Sequence, residues 1–382
     1  MTIVVDNVPL GLYIHLPWCV RKCPYCDFNS HERTTELDFD KYIACLLEDL
    51  RTSTNAIGPR AINTIFIGGG TPSLFPAKAI QRLMDGIRET VTCDSGMEVT
   101  LEANPGAADV ARFAGYLDAG VNRLSIGVQS FRDRQLKLLG RVHCAQDARD
   151  AYFAARQVGF ANINIDIMHG LPEDNVEAGL FDLQCAVDLH PEHISWYQLT
   201  IESGTAFARK PPPLPSHDDI GAIYGQGREL LESAGYQQYE VSAYAKPNRQ
   251  SRHNINYWEF GDYLGIGAGA HGKVTTENGV FRAQKRSSPV SYMAQVGGAD
   301  GTAMAGPVDD NALVSEFAIN VFRLRRGFRE NLFSERTGVR ASLLESPLAE
   351  AARRGWLIRD GGIVRPSELG FRFLSDVQLL FL

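Results

Sequence analysis

"LYIHLPWCVRKCPYCDF" (residues 12–28) runs from a short strand-like segment, "LYIHL", straight into three cysteines spaced CxxxCxxC. Outward from it the chain repeats one pattern. Apolar, β-branched runs alternate with helical patterns: "YIACLLEDL", "TIFIGG", "AIQRLMDGI", "EVTLEA", "VARFAGYLDAG", "RLSIGV", "AYFAARQVGF", "INIDIM", "LFDLQCAVDL" and "HISWYQL". These are six β-then-α steps. Strands separated by helices run parallel, and the near-continuous hydrophobicity of these runs implies burial of both sheet faces. The expected fold over residues 1–245 is α/β, a TIM-like barrel or an open partial (β/α)6 barrel.

"RKPPPLPSHDD" (209–219) excludes helix and reads as the link from the sixth strand to a further helix. A loop-rich connecting segment with "HNINYW" is expected over 246–309. From 310 to 382 the chain turns helical, and "LAEAARRGWLIRDGGIVRPSELG" reads helix, strand, turn, strand, a small winged-helix-like α+β unit. The 382 residues are 44% hydrophobic and 22% charged, an ordinary globular composition. A formal net charge of −7 gives no electrostatic case for nucleic acid or an anionic membrane as partner. No stretch approaches ~20 uninterrupted apolar residues and the N-terminus lacks a signal-peptide pattern, so a cytoplasmic protein is expected.

Of seven cysteines, Cys45, Cys93, Cys144 and Cys185 are scattered and read as ordinary buried thiols. Cys19, Cys23 and Cys26 are the metal candidates. A structural zinc site needs four ligands, and His31 could complete a Cys3His set in a zinc-stabilised binding module. A four-iron cube needs only three protein thiolates and leaves one iron open to a small molecule. In parallel βα folds the active site collects in the loops after the strands, and the unusual stretches all fall there. The cysteine triple follows strand one, "GGGTP" (68–72) strand two, "EANP" (102–105) strand three and "GVQSF" (127–131) strand four; Asp166 ends strand five. Glycines without a Cβ would let backbone approach a ligand closely. Singly, Glu102, Gln129, Arg141 and Asp166 could be salt-bridge or capping residues; their shared rim favours a site.

CxxxCxxC with an aromatic before its third cysteine, ahead of a Gly-rich second loop, resembles the radical S-adenosylmethionine superfamily. The resemblance implies a 4Fe-4S cluster on Cys19, Cys23 and Cys26, whose open iron chelates S-adenosylmethionine and whose electron splits it to a 5'-deoxyadenosyl radical. "LYIHLPWCVRKCPYCDF", "IFIGGGTPSL", "GVNRLSIGVQSF" and "GLPE" narrow the likeness to the oxygen-independent coproporphyrinogen III dehydrogenase-like branch over nearly the whole chain. That branch implies S-adenosylmethionine contacts at Tyr13, Gly69, Gly70, Thr71, Glu102, Gln129, Arg141 and Asp166. The dehydrogenases read CxxxCxxCxC and carry a longer segment before the cluster; this chain has Phe28 at the last position and 18 residues before Cys19. "HNINYW" (253–258), "SWYQLTIE", "GYQQYE" and "GDYLGIGAGAHGK" resemble instead the haem-chaperone group of the branch.

His253 can ligate haem iron, and Tyr257 and Trp258 offer flat apolar surface to a macrocycle; alternatively the aromatics plug an open barrel and His253 bonds backbone. His271 is a second candidate. Three readings stay open. The first is a chaperone that binds haem and hands it to acceptor haemoproteins, without coproporphyrinogen III turnover. The second is the radical decarboxylase of coproporphyrinogen III, and the third the zinc module. The first implies haem, acceptor proteins and an electron donor for the cluster, and leaves a homodimer open. No residue is assigned a catalytic role.

Overall fold

The computed structural model describes residues 3–34, 36–107, 109–296 and 302–382; part of the connecting stretch, 297–301, lies outside them. All six anticipated strands form: β1 (Leu10–Leu16), β2 (Ile62–Gly69), β3 (Cys93–Ala103), β4 (Arg123–Gln129), β5 (Ile163–His169) and β6 (His193–Gln198). They pair in parallel in that order. Helices α1 (Phe39–Ile57), α2 (Ala77–Thr90), α3 (Val110–Asp118), α4 (Ala145–Gln157) and α5 (Val176–Asp188) make the crossovers. After the proline-rich link, α6 (His217–Ser233) starts on Ser216, whose hydroxyl accepts from the Asp219 N–H.

One expectation about the strands is corrected. They alternate rather than run continuously apolar. Leu12, Ile14, Ile65, Ile67, Leu101, Leu124, Ile126 and Ile165 join the fully buried core. Between them stand Thr64, Thr100, Ser125 and Asn164, also buried but polar. Successive side chains on a strand point to opposite faces, so the helices cover an apolar outer face while the inner face is polar. Buried polar groups need partners, and they find one another: Asn164 donates to Ser125 Oγ (2.7 Å) and lies 2.6 Å from His193 Nδ1, whose other nitrogen meets Tyr239 Oη at 2.8 Å.

The six strands do not close into a barrel. Among the described residues the sheet has twelve strands, extended at both edges. Beyond β6 lie β7 (Gln237–Glu240) and β8 (Ala243–Ala245), antiparallel. Beyond β1 lies β9 (Asp262–Ile266), parallel to it, then β10 (His271–Thr276), β11 (Gly279–Lys285) and β12 (Thr302–Pro307) as an antiparallel meander. Among the described residues, the stretch read as loop-rich thus holds four strands and two short helices. Its glycines misled: Gly265 lies inside β9, where a Cβ would fall 2.0 Å from the His271 carbonyl oxygen, so glycine is what lets β10 fold back. "HNINYW" is likewise no loop but a helix, α7 (Arg252–Trp258), capped by Ser251 Oγ on the Asn254 N–H at 3.3 Å.

Residues 310–366 follow in the order helix, strand, two helices, two strands, with a three-stranded sheet, as in a winged helix. A second core around Phe317, Phe322, Phe328 and Phe333 includes Phe260 and Val280, so this unit packs on the β1 edge of the sheet. Among the described residues no helix is long and apolar enough to cross a membrane.

At that edge the first residue of β9, Asp262, is fully buried. It accepts from Lys273 Nζ (2.8 Å), Arg60 Nη1 (2.7 Å), Thr275 Oγ1 (2.7 Å) and the Thr275 N–H (2.9 Å). Deleting one partner of a buried ion pair strands the others and costs about 3–5 kcal/mol. Asp262→Ala should therefore lower the urea midpoint of the full chain markedly. An unchanged midpoint would show that Asp262 does not anchor β9.

Candidate functional site

The cysteine loop leaves β1 at Pro17 and is held by the loop after β2. The Gly70 N–H donates to the Leu16 carbonyl and the Thr71 N–H to the Trp18 carbonyl, both at 2.8 Å. A Cβ on Gly70 would stand 2.6 Å from the Trp18 carbonyl oxygen, and one on Gly69, at φ +120°, 2.8 Å from the His15 ring. The glycines of "GGGTP" therefore serve first to press two loops together.

Cys19, Cys23 and Cys26 line one cavity of about 460 Å³ at the C-terminal ends of the strands. Gly69, Gly70 and Thr71 line it too, with Glu102 from β3, Gln129 from β4, Asp166 from β5, and Arg141. Of the sequence-derived S-adenosylmethionine set only Tyr13 lies elsewhere. Each sulfur faces a polar group: Thr71 Oγ1 is 3.5 Å from Cys19 Sγ, Arg141 Nη1 3.7 Å from Cys23 Sγ, and Ser30 Oγ 3.6 Å from Cys26 Sγ. Such donors stabilise thiolate ligands. His31 does not line this cavity. Its Nε2 is 3.2 Å from Asn29 Oδ1 and from the Ser287 carbonyl, so the Cys3His zinc set is not assembled. Among the described residues no three His, Cys, Asp or Glu side chains converge on a single-ion position.

The cavity is acidic, and its two strand carboxyls are buried. Burial, then the charge of Asp166, pushes Glu102 up to about 8, although the Gly69 N–H donates to its Oε2 at 3.1 Å. Asp166 is raised by burial and held down partly by Ser125, Asn164 and Ser195. Opposite them Arg141 donates Nη2 to the Gly127 carbonyl at 2.9 Å, while its buried Nε has no partner among the described residues. Two carboxyls and an underused guanidinium suit a ligand with both an amino group and a carboxylate. Gln129 reaches the cavity because β4 ends in an irregularity that puts it at φ +69°, and Tyr197 Oη donates to its Oε1 at 2.5 Å. Tyr25 is the aromatic before the third cysteine; Tyr197 was not named from the sequence, and its one signal is its place as the penultimate residue of β6.

A second cavity, about 540 Å³, adjoins the first. Tyr13, His253 and His271 line it, with Phe66, Tyr257 and Trp258. Asp27, Phe28, Gly69 and Glu102 belong to both cavities and form their common wall. Tyr13 Oη meets His15 Nδ1 at 2.9 Å. His253 is buried; its Nδ1 is 2.9 Å from Thr64 Oγ1, and its ring packs on Phe66 with centroids 5.3 Å apart. Tyr263 Oη donates to Tyr257 Oη at 2.9 Å, and the Arg323 guanidinium lies 4.3 Å over Trp258. Helix α7 thus both plugs the open barrel and presents a histidine to an aromatic cavity. The scattered cysteines are less uniform than expected: Cys185 is buried, Cys45 and Cys93 are intermediate, and Cys144 is exposed.

Fold and site define a radical S-adenosylmethionine protein. The radical SAM superfamily matches residues 13–182, and the HemN C-terminal domain residues 308–373. The chain is 46% identical over 382 residues to "Heme chaperone HemW" of Escherichia coli, covering 99% of this chain and all of that protein. It is 44% identical to the Haemophilus influenzae protein of the same name, over 98% of each. The chain belongs to the HemW family. A solved structure of Escherichia coli HemN, a coproporphyrinogen III oxidase, shares the fold with a TM-score of 0.82 over 98% of this chain and 90% of its own, at 22% identity.

Burial, then the nearby Arg123 charge, lowers the His253 pKa to about 4. Its NMR titration in the full chain should be centred near 4; a midpoint near 6.5 would contradict the burial. Because the unfolded chain takes up this proton below about 6.5 and the folded chain does not, His253 withdraws stability as pH falls from there toward 4.

Proposed function

We propose that this protein carries haem as cargo in the His253 cavity and delivers it to acceptor haemoproteins, with a 4Fe-4S cluster on Cys19, Cys23 and Cys26 and S-adenosylmethionine in the neighbouring cavity. The observation that carries this reading is the pair of cavities with a common wall, one lined by three thiols, the other by an imidazole and flat aromatic rings. The names of the HemW relatives support it.

When bound, the cluster offers one open iron to the amino and carboxylate groups of S-adenosylmethionine and an electron to its sulfonium. The chain's own residues do the rest. Arg141 receives the carboxylate; Glu102 and Asp166 receive cationic groups; Gln129 and Gly69–Thr71 shape the wall. An external electron donor is required, and a homodimer is compatible with this reading. His253 ligates the haem iron, with His271 on the same cavity as the alternative ligand. Coproporphyrinogen III decarboxylation is the competing activity. Phe28 argues against it, because a side chain that is 61% exposed stands in the wall between the cavities where the dehydrogenases have a cysteine.

Anaerobic reconstitution should load about four irons and four sulfides per chain, and Cys19→Ala, Cys23→Ala or Cys26→Ala should each abolish it; a colourless protein holding stoichiometric zinc would reverse the reading. Haem titration should give a saturable Soret band that His253→Ala weakens or shifts without loss of the cluster, and coproporphyrinogen III should not turn over. A second expectation follows from Glu102, which at about 8 holds its proton at neutral pH. A cationic ligand favours the ionised carboxylate, so S-adenosylmethionine binding at pH 7 should release a proton. Calorimetry in buffers of different ionisation enthalpy reads this release, and Glu102→Gln should lower the number of protons released, the remainder coming from the amino group as it chelates iron. An unchanged number in Glu102→Gln would place the cation elsewhere.

A further inference from the structure

The imidazole of His253 rests in a seat that no motif marks. Gly11 of β1, Thr64 of β2 and Glu98 of β3 are successive register partners, one row across three strands. Thr64 Oγ1 is 2.9 Å from His253 Nδ1. Glu98 Oε1 accepts from the His253 backbone N–H at 3.1 Å. A Cβ on Gly11 would stand 3.1 Å from Thr64 Oγ1 and 3.2 Å from His253 Cε1, so only glycine leaves the ring its full space. Thr64 and Glu98 are both buried, at 3% and 6% exposure. Burying a hydroxyl and a carboxylate is unfavourable unless each has a partner, and His253 supplies one to both.

We infer that this row is a positioning device: His253 Nδ1–H donates to Thr64 Oγ1, which leaves the Nε2 lone pair directed into the aromatic cavity for haem iron. The inference rests on the assignment of His253 as haem ligand and adds Thr64 as the residue that sets its tautomer and ring plane. A ligating histidine usually gives its second N–H to an acceptor, and removing that acceptor typically weakens metal binding 10–100-fold.

The test is haem titration of the reconstituted full chain carrying Thr64→Val, with iron content as the control for folding. The haem Kd should rise about 10–100-fold and the Soret maximum shift, while Thr64→Ser stays near wild type and cluster iron is unchanged. Nitrogen-15 NMR of imidazole-labelled wild-type chain without haem gives a reading independent of any variant, and should show His253 protonated on Nδ1. Wild-type affinity and spectrum in Thr64→Val, or Nε2 protonation in the wild type, would overturn the seat. If instead His253→Ala binds haem as the wild type does, the haem-ligand assignment itself fails.

Discussion

Everything distinctive about this molecule follows from the period-two alternation of its parallel strands. In a strand, consecutive side chains face opposite ways. Here one face is isoleucine, leucine and valine under helices, and the other carries Thr64, Glu98, Thr100, Arg123, Ser125, Asn164 and Asp166, all inside the fold. Closed barrels of this size use eight strands; six leave a gap. Residues from elsewhere in the chain fill it: β9 joins β1, β8 joins β6, and α7 enters between with His253. The polar inner wall is tolerable because its members bond one another, and useful because the groups near its top remain available to ligands.

Along that wall the chemistry is graded. Near the cysteines it is ionic, with Glu102 and Asp166 raised by burial and Arg141 facing them. Beyond Phe28 it becomes aromatic and neutral, with His253 lowered by the same burial. One desolvating environment therefore protonates an acid and deprotonates a base within a single pair of cavities. The first arrangement suits a zwitterionic sulfonium ligand, the second a flat hydrophobic metal complex. Glu102 belongs to both walls.

Much of this was legible in the sequence. Each of the six strands was visible because β-branched residues cluster between helical patterns, and the site loops were visible because parallel topology puts them at one end. What escaped notice was long-range. Burial of both sheet faces was expected from continuous hydrophobicity, yet "INIDIM" and "RLSIGV" alternate, and the second face is buried although it is polar. The run "GDYLGIGAGAHG" reads as loop by its glycines, yet Gly265 is a strand residue dictated by the close return of β10. The seat of His253 was invisible because Gly11, Thr64 and Glu98 are far apart in sequence and meet only through strand register. His31 was the converse case. Its spacing after Cys26 suggested a zinc ligand, but a hydrogen bond to the Ser287 carbonyl, 256 residues away, holds it outside the cavity.

The central claim is that haem and cluster occupy adjacent cavities separated by Asp27, Phe28, Gly69 and Glu102. Electron paramagnetic resonance of the reduced cluster, with and without haem bound to the same chain, tests it directly; the reductant also takes the haem to the ferrous state, which with one axial histidine is high-spin and paramagnetic. Two paramagnets on either side of one residue layer must sense each other, so haem should speed the cluster's spin relaxation and broaden its signal, and His253→Ala should remove the effect by displacing the haem. A cluster signal that relaxes identically in the haem-loaded and haem-free protein, with haem binding verified by its Soret band, would place haem elsewhere and contradict the account.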